Sequence, residues 1–376
     1  MKAGNCRSKT IMYDQIRNDT LFGMLYAVVS ALFLAACCYL LFRQGNAFAR
    51  DVTPPVRLRR WTAAYFAATA VCHLWYMQIF FLTSAEDIMM TDLIGGLLDS
   101  VLAVPLVICV MLNMLQDRRR PLWPIPLMIA PFVVGEVYSI ATLSYAVIPM
   151  LHVYLLLLSI CIAIYMFRAT RQYGRWLRDN YADLEHKEVW QSLVVLTLML
   201  LLFVFYTFLG NVTLFLYAYQ LFDIVFLGYL LWRVETLSDL NIPVNDPSSP
   251  TRNHPALPPG TCKNIGQLLQ QHCIDKQLYL QHDMTLSQLA RFIGTNRLYL
   301  SQYFSSQGTT YNNYINDLRI NHFVHLYRDA ADTQRSYTIQ QLALESGYRS
   351  YSTFSDVIKR KTGKSVRAWM KELGEP

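Results

Sequence analysis

Four ionisable side chains, His73, Asp99, Glu136 and His152, sit inside long apolar stretches of this sequence. A charged group in a low-dielectric interior is costly, so such residues are kept for a function or paired with one another. Held at similar depth, the four would shape a polar cavity suited to a small polar or cationic ligand; Asp223, in the last apolar stretch, would lie nearer the middle. Hydrogen bonding between neighbouring helices is the alternative use. Two histidines and a glutamate carry donor atoms for a metal, but they come from separate stretches with no shared spacing, so no metal and no other cofactor is expected. A second set could bind anions. Lys359, Arg360, Lys361, Lys364 and Arg367 form a basic run suited to phosphate contacts, with a solvated helix face as the plain alternative. Catalysis has no such candidates: the chain lacks G-x-S-x-G, H-E-x-x-H and a glycine-rich phosphate loop, so no enzyme is expected.

The elements that must position these residues differ along the chain. Of 376 residues 53% are hydrophobic and 16% charged, with net charge +7, and the apolar content is concentrated before Trp232. A bilayer core of about 30 Å needs about 20 apolar residues in helical form. Stretches near that length run over Leu21–Phe42, Trp61–Leu82, Leu93–Leu115, Ile125–Leu143, Tyr145–Phe167, Trp190–Leu209 and Asn211–Trp232. Seven spans are therefore expected. Basic residues favour the cytoplasmic side, and they crowd the first, third and fifth loops. That bias puts the N-terminus outside and the C-terminal third in the cytoplasm, against the opposing pull of Lys2, Arg7, Lys9 and Arg17. Leu34 to Cys37 match a lipoprotein cleavage pattern, but cleavage there would leave the arginine-rich first loop outside, so an uncleaved span is expected. The eight cysteines show no C-x-x-C spacing, which argues against a disulfide framework or zinc finger. The stretch Arg168–Trp190 reads as an interfacial amphipathic helix with Trp176 and Trp190 as anchors.

The expected organisation is a tail (1–20), a membrane bundle (21–240), a proline-rich linker (241–262) and a soluble domain (263–376). Six prolines in Asn241–Gly260 favour extended chain, able to hold the next domain up to ~60 Å from the bilayer. The soluble domain repeats itself. Thr285-Leu-Ser-Gln-Leu-Ala is matched by Thr338-Ile-Gln-Gln-Leu-Ala, and Gly294 and Gly347 follow at equal intervals. Each T-x-x-Q is a capping box that starts a helix; each glycine suits a left-handed cap that ends it. Second helices then begin at the caps Asn296 and Ser350, with Leu300 and Phe304, and Phe354 and Ile358, facing inward at four-residue spacing. Helix, tight turn, helix is the arrangement that inserts its second helix into a DNA major groove. The faces left to read bases carry Arg297, Leu298, Ser301 and Gln302 in one copy, and Arg349, Tyr351, Ser352, Ser355 and Asp356 in the other. Between the copies, Tyr314, Ile315, Leu318, Phe323 and Leu326 predict one long connecting helix.

From about Gln267 to Lys371 the chain resembles the DNA-binding domain of AraC/XylS-type bacterial transcription regulators. LSQLARFIGTNRLYLSQYF, YINDLRINHFVHL and IQQLALESGYRSYSTFSDVIKRKTGKSVRAW carry the likeness. Gly347, Tyr348, Phe354, Lys359, Gly363 and Trp369 fit the family's second-copy signature, Ile358 replaces its phenylalanine, and Val366 stands where proline is usual. The resemblance implies seven helices in two subdomains gripping successive major-groove segments. It implies base-reading roles for Leu298, Ser301, Gln302, Tyr351, Ser352 and Asp356, the last departing from a frequently basic position. The whole chain is similar to the membrane-embedded, seven-span members of that family. The expected fold is thus all-α, a seven-helix transmembrane bundle followed by a seven-helix double helix-turn-helix domain. Expected partners are double-stranded promoter DNA, the bacterial inner membrane, a second copy of the chain as a homodimer, RNA polymerase, and an unknown small-molecule or envelope signal. A transporter or membrane enzyme with an autoregulatory DNA-binding tail is the alternative.

Overall fold

The computed structural model describes residues 17–43, 46–48, 52–184, 187–195, 197–198, 213–240, 265–333 and 337–373. These form two compact units, Met1–Arg171 with Val189–Asn241, and Gln172–Glu188 with Ile242–Pro376. Both are helical. The described residues hold no strand, only an isolated antiparallel bridge between Tyr181 and Thr285.

The first unit contains α1 (Thr20–Phe42), α2 (Val56–Tyr76), α3 (Ala85–Met114), α4 (Pro124–Thr142), most of α5 (Ile148–Asn180) and α6 (Thr213–Thr236). Asp19 starts α1 by accepting from the Phe22 amide at 3.1 Å. This helix packs along α2, where the buried rings of Phe33 and Phe66 meet edge to face at 5.8 Å, and α6 packs against α1. A π-helical turn over Asp99–Ala103 widens α3. Pro105 follows within the same helix and has no N–H to give to the turn before it, which is a reason for the backbone to widen there.

Among the described residues, four helices, α1, α3, α4 and α5, are long and apolar enough to cross a membrane. Their outer faces expose Leu21, Met24, Leu127, Val134 and Met150, while Ser30, His73, Glu136 and Asp223 are buried within the unit. Against the seven spans expected, the described residues hold four such helices. The second and seventh stretches are helices of 21 and 24 residues but more polar, α2 opening on Arg57, Arg59 and Arg60 and α6 carrying Asp223, Arg233 and Glu235. Most of the sixth stretch, like the linker at 241–262, lies outside the described residues.

Among the described residues after 264, the second unit holds a short 3-10 helix (Leu278–Leu280) and seven longer helices: α7 (265–274), α8 (Leu286–Phe292), α9 (Arg297–Ser306), α10 (Tyr311–Asp332), α11 (Ile339–Glu345), α12 (Tyr351–Thr362) and α13 (Val366–Leu373). They surround two cores. Leu269, Leu289, Leu300 and Ile315 belong to one; Phe323, Leu342, Phe354 and Val366 belong to the other. The long helix α10 supplies both, so it fixes the spacing of the two halves. Between them lies Arg319, 1% exposed. Its guanidinium donates to the carbonyls of Tyr279 (2.7 Å) and Gln281 (2.8 Å) and sits over the Tyr348 ring at 5.5 Å. Val366 opens α13 from inside the core, so the usual proline is replaced by a packed side chain.

Candidate nucleic-acid interface

Both helix-turn-helix copies are built by the residues that repeat in the sequence. Thr285 and Thr338 each accept from the amide three residues on, and Gln288 and Gln341 accept in return from the threonine amides at 2.8 and 3.1 Å. Gly294 and Gly347 turn the chain at φ 72° and 87°, a region that a Cβ disfavours. Asn296 and Ser350 then cap α9 and α12 through the amides of Tyr299 and Thr353. Leu300, Phe304, Phe354 and Ile358 are buried, which turns the opposite faces of α9 and α12 outward.

On α12, Tyr351, Ser352 and Asp356 are exposed and Ser355 is half-buried. Lys359 and Arg360 follow, exposed, on the same helix. Lys361 pairs with Asp317, Lys364 pairs with Glu372, and burial pulls the Lys361 pKa below the usual lysine range. Arg367 is exposed on α13. This surface presents polar side chains beside a cluster of cations, the pairing of base-edge and phosphate donors that duplex DNA requires.

The first copy is arranged differently. Arg297, Leu298, Ser301 and Gln302 lie together on α9, and all four are half-buried. The Arg297 Nε donates to Asn180 Oδ1 at 2.9 Å. Arg349 precedes α12 in the turn and pairs with Asp283 at 3.4 Å, while Lys187 holds the other oxygen of Asp283 at 3.0 Å. Burial pushes the Asp283 carboxyl up, but the charges of Lys187 and Arg349 outweigh it and leave the pKa below the ordinary aspartate value. Asn180, Asp283 and Lys187 were not among the residues picked out from the sequence.

Residues 289–372 match the family model described as a helix-turn-helix domain. This is an AraC/XylS-type regulator domain. Comparison with curated proteins and with solved structures finds no match. An AraC/XylS-type domain binds double-stranded DNA, and the chain is a DNA-binding transcription regulator.

Of the four ionisable residues, His73 and Asp99 fall in one polar group with Asp223, and Glu136 and His152 lie on α4 and α5. His73 Nε2 faces Asp223 Oδ2 at 3.6 Å, with Ser30 Oγ 3.3 Å from its Nδ1 and the Tyr26 ring stacked on it at 4.8 Å. Asp99 accepts from the Tyr76 hydroxyl at 3.1 Å and lies within electrostatic reach of His73 and Asp223. Glu136 packs beside Gly96, where an added Cβ would stand 3.1 Å from its Oε1. His152 is half-buried on α5. Asp223, expected nearer the middle than the other four, therefore belongs with His73. Among the described residues, no three His, Cys, Asp or Glu side chains converge as a metal would need.

Proposed function

We propose that the chain is a one-component, membrane-bound transcription regulator that binds promoter DNA through its two helix-turn-helix copies under control of a signal received by the membrane part. The observation that carries this reading is the presence, on one chain, of an AraC/XylS-type domain and of four helices with apolar outer faces and buried polar residues. Apolar outside and polar inside is the arrangement lipid demands of a helical bundle. Bases are read by Leu298, Ser301 and Gln302 and by Tyr351, Ser352 and Asp356, with Lys359, Arg360 and Arg367 on phosphates. The group around His73, Asp99 and Asp223 is the place where a polar or cationic signal would be felt. The bundle lies in the bacterial inner membrane with the DNA-binding domain in the cytoplasm, and promoter half-sites are bound by a homodimer.

Genome-wide occupancy of the intact protein tests this, beside a variant with Lys359 and Arg360 changed to alanine. The reading expects discrete promoter peaks that vanish in the variant. Peaks that persist, or a membrane-free distribution of the intact protein, would refute it. Asp99→Asn and Asp223→Asn should then alter reporter induction without removing the peaks.

A further inference from the structure

The stretch expected on the lipid surface also packs within the unit that holds the DNA-binding helices. Gln172–Glu188 belongs to the same compact unit as the DNA-binding helices. Tyr173 and Leu177, four residues apart, are buried, and Trp176 stacks on Tyr173 at 5.8 Å and meets Tyr181 edge-on at 5.7 Å. Ala182, 2% exposed, enters the core of the first helix-turn-helix half.

The surface that receives this stretch is built for a backbone. Asn312 and Asn316, one turn apart on α10, are buried at 4% and 1% exposure. Asn312 Nδ2 donates to the carbonyls of Ala182 (2.6 Å) and Tyr181 (3.1 Å), and Asn316 Nδ2 donates to Ala182 (3.1 Å). Buried amides without partners are costly, so two of them on one helix face call for a permanent occupant. Tyr181 adds a backbone bridge to Thr285, the residue that caps α8.

On either side of this anchor the stretch reaches an arginine of each copy. Asn180 accepts from Arg297, at the first position of α9. Lys187 engages Asp283, which in turn engages Arg349 just before α12. The anchor is buried, as are Asn180 and Lys187, whereas the groups they hold are half-buried (Arg297, Arg349) or exposed (Asp283), so the contacts can change on that side. Asn180 is also the last residue of α5, one of the helices long and apolar enough to cross a membrane.

We propose that Gln172–Leu184 with Lys187 is an intrachain regulatory partner of the DNA-binding domain, anchored at Ala182, holding Arg297 through Asn180 and competing with Arg349 for Asp283 through Lys187, and that movement of α5 sets those contacts. The inference rests on the regulator reading above, and it assigns the route of the signal to α5 instead of the linker at 241–262.

Affinity of the full-length protein in nanodiscs for a duplex taken from its strongest occupancy peak tests this, as a function of salt. Asn180→Ala removes the oxygen that accepts from Arg297 Nε and should tighten binding about five-fold while steepening the salt dependence. Asn180→Asp adds a charge opposite Arg297 and should weaken binding. Opposite signs cannot come from simple misfolding. Ten glycine-serine residues inserted after Ser249 should leave regulation intact. Unchanged or weaker binding in Asn180→Ala, or regulation lost on lengthening the linker, overturns the inference and leaves the regulator reading standing if Lys359→Ala with Arg360→Ala still abolishes binding. If the unmodified protein binds no duplex, both fall.

Discussion

The internal repeat supplies its own control experiment at the two turn glycines. Gly294 and Gly347 have matching positions and similar backbones, φ 72° and 87°, so replacing either by alanine costs about 1–2 kcal/mol for a left-handed residue bearing a Cβ. Their surroundings differ. A Cβ at Gly294 meets nothing within 4 Å, whereas one at Gly347 would stand 2.7 Å from the Leu280 Cα and 2.9 Å from its carbonyl oxygen. Those are backbone atoms, and the same turn is fixed by His282 Nδ1 lying 3.2 Å from the Gly347 carbonyl. They cannot swing aside as a side chain would, and forcing atoms into a packed site adds about 1–3 kcal/mol. Gly347→Ala should therefore lose about 4 kcal/mol in all, a large part of an ordinary domain's stability. Gly294→Ala should lose no more than about 2 kcal/mol. Hydrogen exchange on the full-length protein, comparing amides of α11 and α12 with those of α8 and α9, reads each half separately. Equal losses in the two variants would refute the packing argument.

Three further outcomes follow from polar groups, two of them buried. The Tyr348 hydroxyl is buried without a hydrogen-bond partner, so Tyr348→Phe should be neutral or stabilising by up to about 2 kcal/mol in urea unfolding. Arg319→Met strands the carbonyls of Tyr279 and Gln281 between the halves and should destabilise by about 3 kcal/mol, and lysine, lacking the planar fork, should not rescue it. Because the Asp283 pKa is lowered in the folded protein, its contribution is fully present above the ordinary aspartate value of 3.8 and is lost as pH falls through the lower native value; Asp283→Asn should flatten that acid limb of the stability profile.

What could be read from the sequence follows from range. A capping box spans three residues and a left-handed turn one, so Thr285 with Gln288, Thr338 with Gln341, and both glycines declare themselves without knowledge of the rest of the fold. Inward-facing Leu300, Phe304, Phe354 and Ile358 follow from periodicity alone. The described apolar stretches were legible as helices, but hydropathy does not show that α3 begins at Ala85, nor that it widens at Asp99, where Pro105 must be accommodated.

The packing of Gln172–Glu188 was not legible because one residue type serves two environments. Arginines at 168, 171, 175 and 178 with Trp176 suit a lipid headgroup layer, and nothing local distinguishes that use from docking on a protein. The distinguishing signal was present but lay in α10. Tyr311, Asn312, Ile315, Asn316 and Arg319 are all buried on one side of that helix, and a core face carrying two asparagines and an arginine must find backbone acceptors somewhere. Arg319 finds them at Tyr279 and Gln281; the asparagines find them 130 residues upstream, at Ala182. Polar residues at core spacing therefore marked a missing partner, and that partner is the end of α5.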